Sequence, residues 1–315
     1  MSHERPVEPF SDLHVEGDHI RAVLLHDPSV EGLDMAIYMD GSGSMKEEYE
    51  SKPKPRGLLD WWYGRPVEML PNQVQPQVQW MLEYLATKDR NGILRVAYWA
   101  CGATGAEIEF VGDLRGVDVQ SYQFPGPREL GNYTYLKPAM KNFVEYIRNQ
   151  VPKGAKQGCA VFVTDGVIFD ADKVKAFSRQ IAQDIAYGKL PRMNFILVGV
   201  GDAVNEEQME DICHEEYPGI GHLWCHRIAE EISQVAELVA VLVDETMTVA
   251  AGGTIYDDRG NVLKIYEGRL PAVLEFPIPE GARSFTLEVN GQRYTQPLPE
   301  EGEHHGEEDE DEDHH

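Results

Sequence analysis

Three oxygen-bearing side chains at alternate positions stand out in the 315-residue chain: Asp40, Ser42 and Ser44 of Asp40-Gly41-Ser42-Gly43-Ser44. A carboxylate and two hydroxyls are hard donors, and glycines between them let a short loop turn all three oxygens towards one point. Such a set suits Mg²⁺ or Mn²⁺ better than a softer ion that prefers nitrogen or sulfur. The loop follows the apolar run Met35-Ala36-Ile37-Tyr38-Met39, which reads as a strand buried on both faces. A polar turn leaving a strand has the same composition, so a metal site needs further donors elsewhere in the chain.

Two stretches offer them. Cys159 to Gly166, CAVFVTDG, is a second apolar strand that breaks at an acid, Asp165. Gly131 to Met140, GNYTYLKPAM, is turn-like and then helical in pattern, with Thr134 near the helix start. In a parallel sheet, Asp40, Ser42, Ser44, Thr134 and Asp165 would all open on the edge where the strands end.

With these three stretches in order, residues 33 to 245 resemble a von Willebrand factor A (VWA) domain carrying a metal-ion-dependent adhesion site. The DxSxS of that family matches Asp40-x-Ser42-x-Ser44, its threonine matches Thr134, and its aspartate before glycine matches Asp165. Where the family's threonine loop begins glycine-threonine, this chain reads Asn132-Tyr133-Thr134. The resemblance implies that Ser42 and Ser44 ligate Mg²⁺ or Mn²⁺ directly, Thr134 directly or through water, and Asp40 and Asp165 mostly through water. Neutral hydroxyl ligands leave the ion electrophilic, so that a partner's carboxylate completes its coordination. That is a binding device, which needs neither a base nor a nucleophile. The pattern around Asn72 to Gln77, Thr134 and Thr164-Asp165-Gly166 is similar to bacterial VWA proteins of the tellurium-resistance and stress-response group. Many intracellular relatives work with AAA+ ATPases of the MoxR type, so such a partner is what the resemblance implies.

Two catalytic alternatives use the same residues. Asp40 at a strand end also fits a phosphatase of haloacid-dehalogenase type with Thr164 as its second hydroxyl, but that chemistry wants an acid where Ser42 stands. A phosphate-binding loop fails on its glycine spacing. Cys213-His214 and Cys225-His226, with His222 between them, have spacings seen in zinc sites; without a CxxC they read as core cysteines beside surface histidines.

Composition bounds the partners. Lys plus Arg number 28 against 54 Asp plus Glu, a net charge of −26. Nucleic acid and anionic membrane are therefore poor partners for the surface as a whole, and cations or basic protein surfaces are better ones. No run is long and apolar enough for a membrane span. The start MSHERPVEPF lacks a basic segment leading into an apolar core, and four cysteines are few, so the expectation is a cytoplasmic protein with reduced thiols.

The elements that position these residues alternate. Helical patterns at Val78 to Lys88, Leu136 to Ile147, Ala171 to Tyr187, Glu206 to Cys213 and Ile228 to Val243 separate strands at 94–100, 159–164, 195–200 and 223–225, with an edge partner at 106–111. This predicts an α/β fold with a doubly wound, mostly parallel sheet and helices on both faces, over residues 30–245. Residues 46–75 form a Pro-rich insertion beside the DxSxS loop. Its Trp61-Trp62-Tyr63 is a candidate partner-binding surface, or else packs on its own domain. From residue 246 to 299 short strands and turns, Asn290-Gly291 among them, predict a small all-β module. That module is thin, so the strands within residues 1–29 are expected to join it. Residues 300–315, rich in Glu, Asp and His, cannot bury apolar surface and read as a disordered tail.

Overall fold

The computed structural model describes residues 9–24, 32–50, 52–53, 69–70, 72–246, 248–250, 252–267 and 270–299. They fall into two compact units, one made of residues up to 24 with those from 250 onward, the other of the residues between.

The larger unit contains strands β3 (Leu33–Asp40), β4 (Ile93–Cys101), β5 (Glu107–Arg115), β6 (Gln157–Thr164), β7 (Arg192–Val200) and β8 (Trp224–Ala229). Its helices are α1 (Val74–Ala86), α2 (Leu136–Gln150), α3 (Ala171–Ala186), α4 (Glu206–Cys213) and α5 (Val235–Thr246). The sheet runs β8-β7-β6-β3-β4-β5, parallel throughout except for the antiparallel edge strand β5. Every residue of β3 is buried, as expected of a strand in the middle of a sheet covered on both sides.

Alternation sorts the strand residues between the two faces. Ala36, Tyr38, Trp99, Phe162, Phe195 and Leu197 form one core with the apolar stripes of α2, α3 and α4. The alternate residues, among them Met35, Ile37, Met39, Val161 and Val163, are also buried, and α1 and α5 cover strands of the sheet and pack against each other. Aromatic rings lock the first face: Tyr38 stacks on Phe162 at 5.0 Å, and Trp99 Nε1 donates to the Val163 carbonyl at 3.2 Å. At the opposite end from the DxSxS loop, the fully buried Asp34 accepts two hydrogen bonds from the Arg90 guanidinium, at 2.8 and 3.0 Å.

One expectation fails here. The helix expected from Ile228 starts at Val235 instead, because β8 continues to Ala229 in parallel register with β7, Ile228 opposite Gly199. Ile232 lies in a 3₁₀ turn between the two elements.

The smaller unit is all antiparallel. β1 (Phe10–Glu16), β2 (His19–Leu24) and β11 (Val273–Pro277) form one sheet in the order β1-β2-β11. β9 (Gly253–Asp257), β10 (Val262–Tyr266), β12 (Ser284–Val289) and β13 (Gln292–Pro297) form another, ordered β10-β9-β12-β13. Phe10, Phe276 and Phe285 meet edge to face, with Phe285 central at 5.2 and 4.9 Å from the other two. Asn290 and Gly291 both take positive φ, the conformation a tight hairpin between β12 and β13 requires.

Candidate metal centre

β3 and β6 are neighbours and end side by side, so Asp40 and Asp165 leave the sheet on the same edge. The loop after β3 turns at once. Asp40 Oδ1 accepts the Ser42 amide at 2.7 Å, and Asp40 Oδ2 accepts the Thr164 hydroxyl at 2.6 Å. Ser42 Oγ and Ser44 Oγ lie 2.9 Å apart, and Ser44 donates to Asp165 Oδ1 at 2.7 Å. Four of the five candidate residues are thus linked in one string of hydrogen bonds: Asp40 to the Ser42 amide, then Ser42 Oγ to Ser44 Oγ, then Ser44 to Asp165. Tyr49 ties the loop down from its far side, its hydroxyl donating to the Asp40 carbonyl at 2.7 Å.

The fifth, Thr134, is buried and sits on a neighbouring loop. Two glycines make its position possible. Gly131 exchanges backbone hydrogen bonds with the DxSxS loop: its amide donates to Gly41 O at 2.9 Å, and its carbonyl accepts from Gly43 at 2.8 Å. A Cβ on Gly131 would lie 1.9 Å from the Ala100 carbonyl oxygen, and one on Gly105 would lie 1.7 Å from that of Tyr133. Only hydrogen fits at either place. Ala100 itself has φ of 54°, so the end of β4 is strained where these loops converge. On the other side, the Thr134 carbonyl accepts the Phe169 amide at 2.9 Å, and a Cβ on Gly166 would be 3.9 Å from Thr134 Oγ1.

Electrostatics single the site out. Asp40 is completely buried; desolvation lifts its pKa to about 7 against the pull of the Thr164 and Ser42 hydrogen bonds, and the Asp165 charge adds to the rise. Burial also raises Asp165, opposed by the Ser44 hydrogen bond. Among the described residues no lysine, arginine or histidine pairs with either carboxylate. Two carboxylates and three hydroxyls, all oxygen and all hard, fit a divalent cation in charge and donor type. No group of three or more His, Cys, Asp or Glu side chains gathers as a metal cluster among the described residues, so a site here depends on its hydroxyls.

Thr164 matters more than its sequence suggested, since its hydroxyl orients Asp40. Asp170 is another surprise. It precedes α3 but does not cap it; its two oxygens accept the Leu136 and Lys137 amides at 2.8 and 3.1 Å and so cap α2 instead. Trp61, Trp62 and Tyr63 lie outside the described residues. Of the zinc-like residues, Cys213 is buried, Cys225 and His226 are half-buried, and His226 Nε2 lies 3.4 Å from Glu210.

No protein-family model and no curated protein matches the chain. Solved structures with a similar course of chain include the manganese-loaded TRAP protein of Plasmodium vivax, at 13% identity and TM-score 0.39, covering 82% of this chain and 79% of that one. The pilus adhesin SpaC of Lactobacillus rhamnosus GG is similar at 11% identity and TM-score 0.43, over 89% of this chain and 45% of its own. An aerotolerance-related membrane protein of Bacteroides fragilis matches at 13% identity and TM-score 0.38, over 66% of this chain and 96% of its own.

Proposed function

We propose that Asp40, Ser42, Ser44, Thr134 and Asp165 hold one Mg²⁺ or Mn²⁺ in a VWA-type adhesion site, and that the protein docks a partner by a carboxylate bound to that ion. The observation that carries this reading is the string from Asp40 to Asp165: donors from two loops in contact, bearing two acids that no cation among the described residues balances. The ion would supply positive charge and an open coordination position, while Thr164 and the Ser42 amide hold Asp40 in place.

A phosphatase nucleophile is a poorer use of Asp40. The residue is fully buried with each oxygen held by a neighbouring donor, and Ser42 stands where that chemistry wants an acid, so Asp40 suits orienting the ion's shell better than attack on phosphorus. A MoxR-type AAA+ ATPase is the partner class the resemblance implies, with Trp61, Trp62 and Tyr63 as proposed partner-binding residues.

Calorimetric titration of the full chain with Mn²⁺ tests the site. Wild type should bind one equivalent, weakly while no partner carboxylate is present, that Ser44→Ala and Asp165→Asn lose, while any binding by the His-containing tail stays the same in all three. Unchanged titrations in both variants would refute the site.

A further inference from the structure

Beside the proposed metal centre lies a cavity of about 420 Å³, lined by Ala106, Tyr135, Pro138 and the lysines Lys137, Lys141 and Lys173. Lys137 and Lys141 are one turn apart on α2, and Lys173 is on the first turn of α3. In a chain of net charge −26, three lysines around one cavity are a local reversal of sign. None of the three has a carboxylate within 4.0 Å among the described residues. The one acid lining the cavity, Asp170, is spent on the α2 amides. Those amides are in turn unavailable, so the attraction for an anion comes from the ammonium groups.

The cavity is continuous with the metal loops through the chain itself. Thr134 and Tyr135 are adjacent, and Lys137 is three positions on from Thr134, at most about 11 Å between Cα atoms. Along this short path stands an aromatic ridge. Tyr133 and Phe169, 47% and 57% exposed, meet edge to face at 5.2 Å, and Tyr135 lies 6.0 Å from Tyr133. Rings of this size left in solvent beside a cationic cavity are typical anchors of a recognition surface.

The geometry points to a two-point reader of acidic protein segments. One carboxylate of the partner goes to the metal centre, and a second acidic side chain of the same segment goes to the Lys137, Lys141 and Lys173 cavity. This rests on the metal-docking reading above and adds the chemistry of the partner. An extended segment advances about 3.3 Å per residue, so the two acids are spaced on the order of two to four residues apart. A single metal-bound carboxylate identifies nothing, since any exposed Asp or Glu could supply it; the second contact gives the site its selectivity.

The test uses the full chain and fluorescence anisotropy with two labelled probes in Mn²⁺ or in chelator. One probe is a decaglutamate peptide, the other a ten-residue Gly/Ser peptide with one Glu. The variant Lys137→Gln/Lys141→Gln/Lys173→Gln should weaken decaglutamate about tenfold or more in Mn²⁺. It should leave the single-Glu peptide and Mn²⁺ affinity unchanged. A charge-matched control in the same unit, Lys88→Gln/Lys153→Gln/Lys189→Gln, should stay within about twofold of wild type, since removing charges at the other ends of the helices costs little at moderate salt. Equal losses in the two triple variants would overturn the pocket. So would displacement of labelled decaglutamate by inorganic phosphate, with free Mn²⁺ held constant, at concentrations below those at which unlabelled decaglutamate competes, which would mark a phosphate site. A peptide copying residues 300–315 that binds through the same lysines more tightly than decaglutamate would also overturn it, by making the chain's own tail the occupant. The two readings fail separately: unchanged Mn²⁺ affinity in Asp165→Asn sinks the metal site, whereas unchanged decaglutamate affinity in the lysine variant, with Mn²⁺ binding intact, sinks the pocket.

Discussion

Gly131→Ala is the sharpest perturbation of the frame that holds the candidate site together. The new Cβ would start 1.9 Å from the Ala100 carbonyl oxygen and 2.8 Å from Gly105 Cα, both backbone atoms that no rotamer change can move. Relief requires the Thr134 loop to lift from β4, which stretches the two hydrogen bonds between Gly131 and the DxSxS loop. Overpacking costs about 1–3 kcal/mol. Each weakened hydrogen bond adds about 0.5–1.5 kcal/mol. The sum is roughly 2–6 kcal/mol, or about 4–24 °C in Tm for a unit of this size. Gly43→Ala is the matched control, because its Cβ would meet nothing nearer than the Gly131 carbonyl at 3.5 Å, an ordinary contact. Thermal unfolding followed by circular dichroism, with Mn²⁺ titration of each folded variant, reads both effects. Gly131→Ala should melt well below wild type and bind Mn²⁺ more weakly, with Gly43→Ala close to wild type in Tm. Equal melting of the two variants would refute the close-packing argument.

Three further predictions address the scaffold. Arg90→Gln strands the fully buried Asp34 carboxylate and should cost about 3–5 kcal/mol in urea unfolding; a loss under 1 kcal/mol would mean the pair is not what anchors that end of β3. Burial holds Asp89 at about 6 against an ordinary 3.8, outweighing the hydrogen bonds from the Asn91 and Met35 amides. The folded state therefore keeps a proton that the unfolded state releases, so this group's contribution is fully present below pH 3.8 and is lost as pH rises through about 6. Relative to Asp89→Asn, wild type should lose on the order of 2–3 kcal/mol between pH 4 and 7, and a gain over that window would contradict the assignment. In the smaller unit, Phe10→Ala removes a ring packed edge to face on Phe285 and should cost about 3–5 kcal/mol, read as faster hydrogen exchange at the Ile255 and Leu287 amides.

What the sequence made legible was chiefly local. The run from Met35 to Met39 ending at Asp40 announced a central strand, and all of it is buried. The alternation of such runs with helical stripes announced the mostly parallel sheet, because each signal lies within about ten residues of chain. The boundary at Ile228 misled for a physical reason. Ile228, Ile232 and Val235 are spaced like a helix face, yet the hydrogen bonds available along β7 draw Ile228 into the sheet. Side chains joined only by topology were not legible. Lys137, Lys141 and Lys173 come from two helices, and Tyr133 meets Phe169 because the Thr134 carbonyl holds the Phe169 amide. Likewise the cap that Asp170 gives α2 joins residues over thirty apart in the chain, and the demand for glycine at 105 and 131 arises from loops meeting across the sheet edge.

The central claim is that the hydrogen-bonded string from Asp40 to Asp165 holds a divalent cation. Anomalous diffraction from crystals of the full chain grown with Mn²⁺, recorded at the manganese edge, tests it most directly. The account predicts a peak at about 2.0–2.3 Å from both Ser42 Oγ and Ser44 Oγ, with the direct contact between those two hydroxyls replaced by contact with the ion. A map with manganese only on surface carboxylates or histidines, and with the Ser42, Ser44 and Asp165 hydrogen bonds intact, would contradict it.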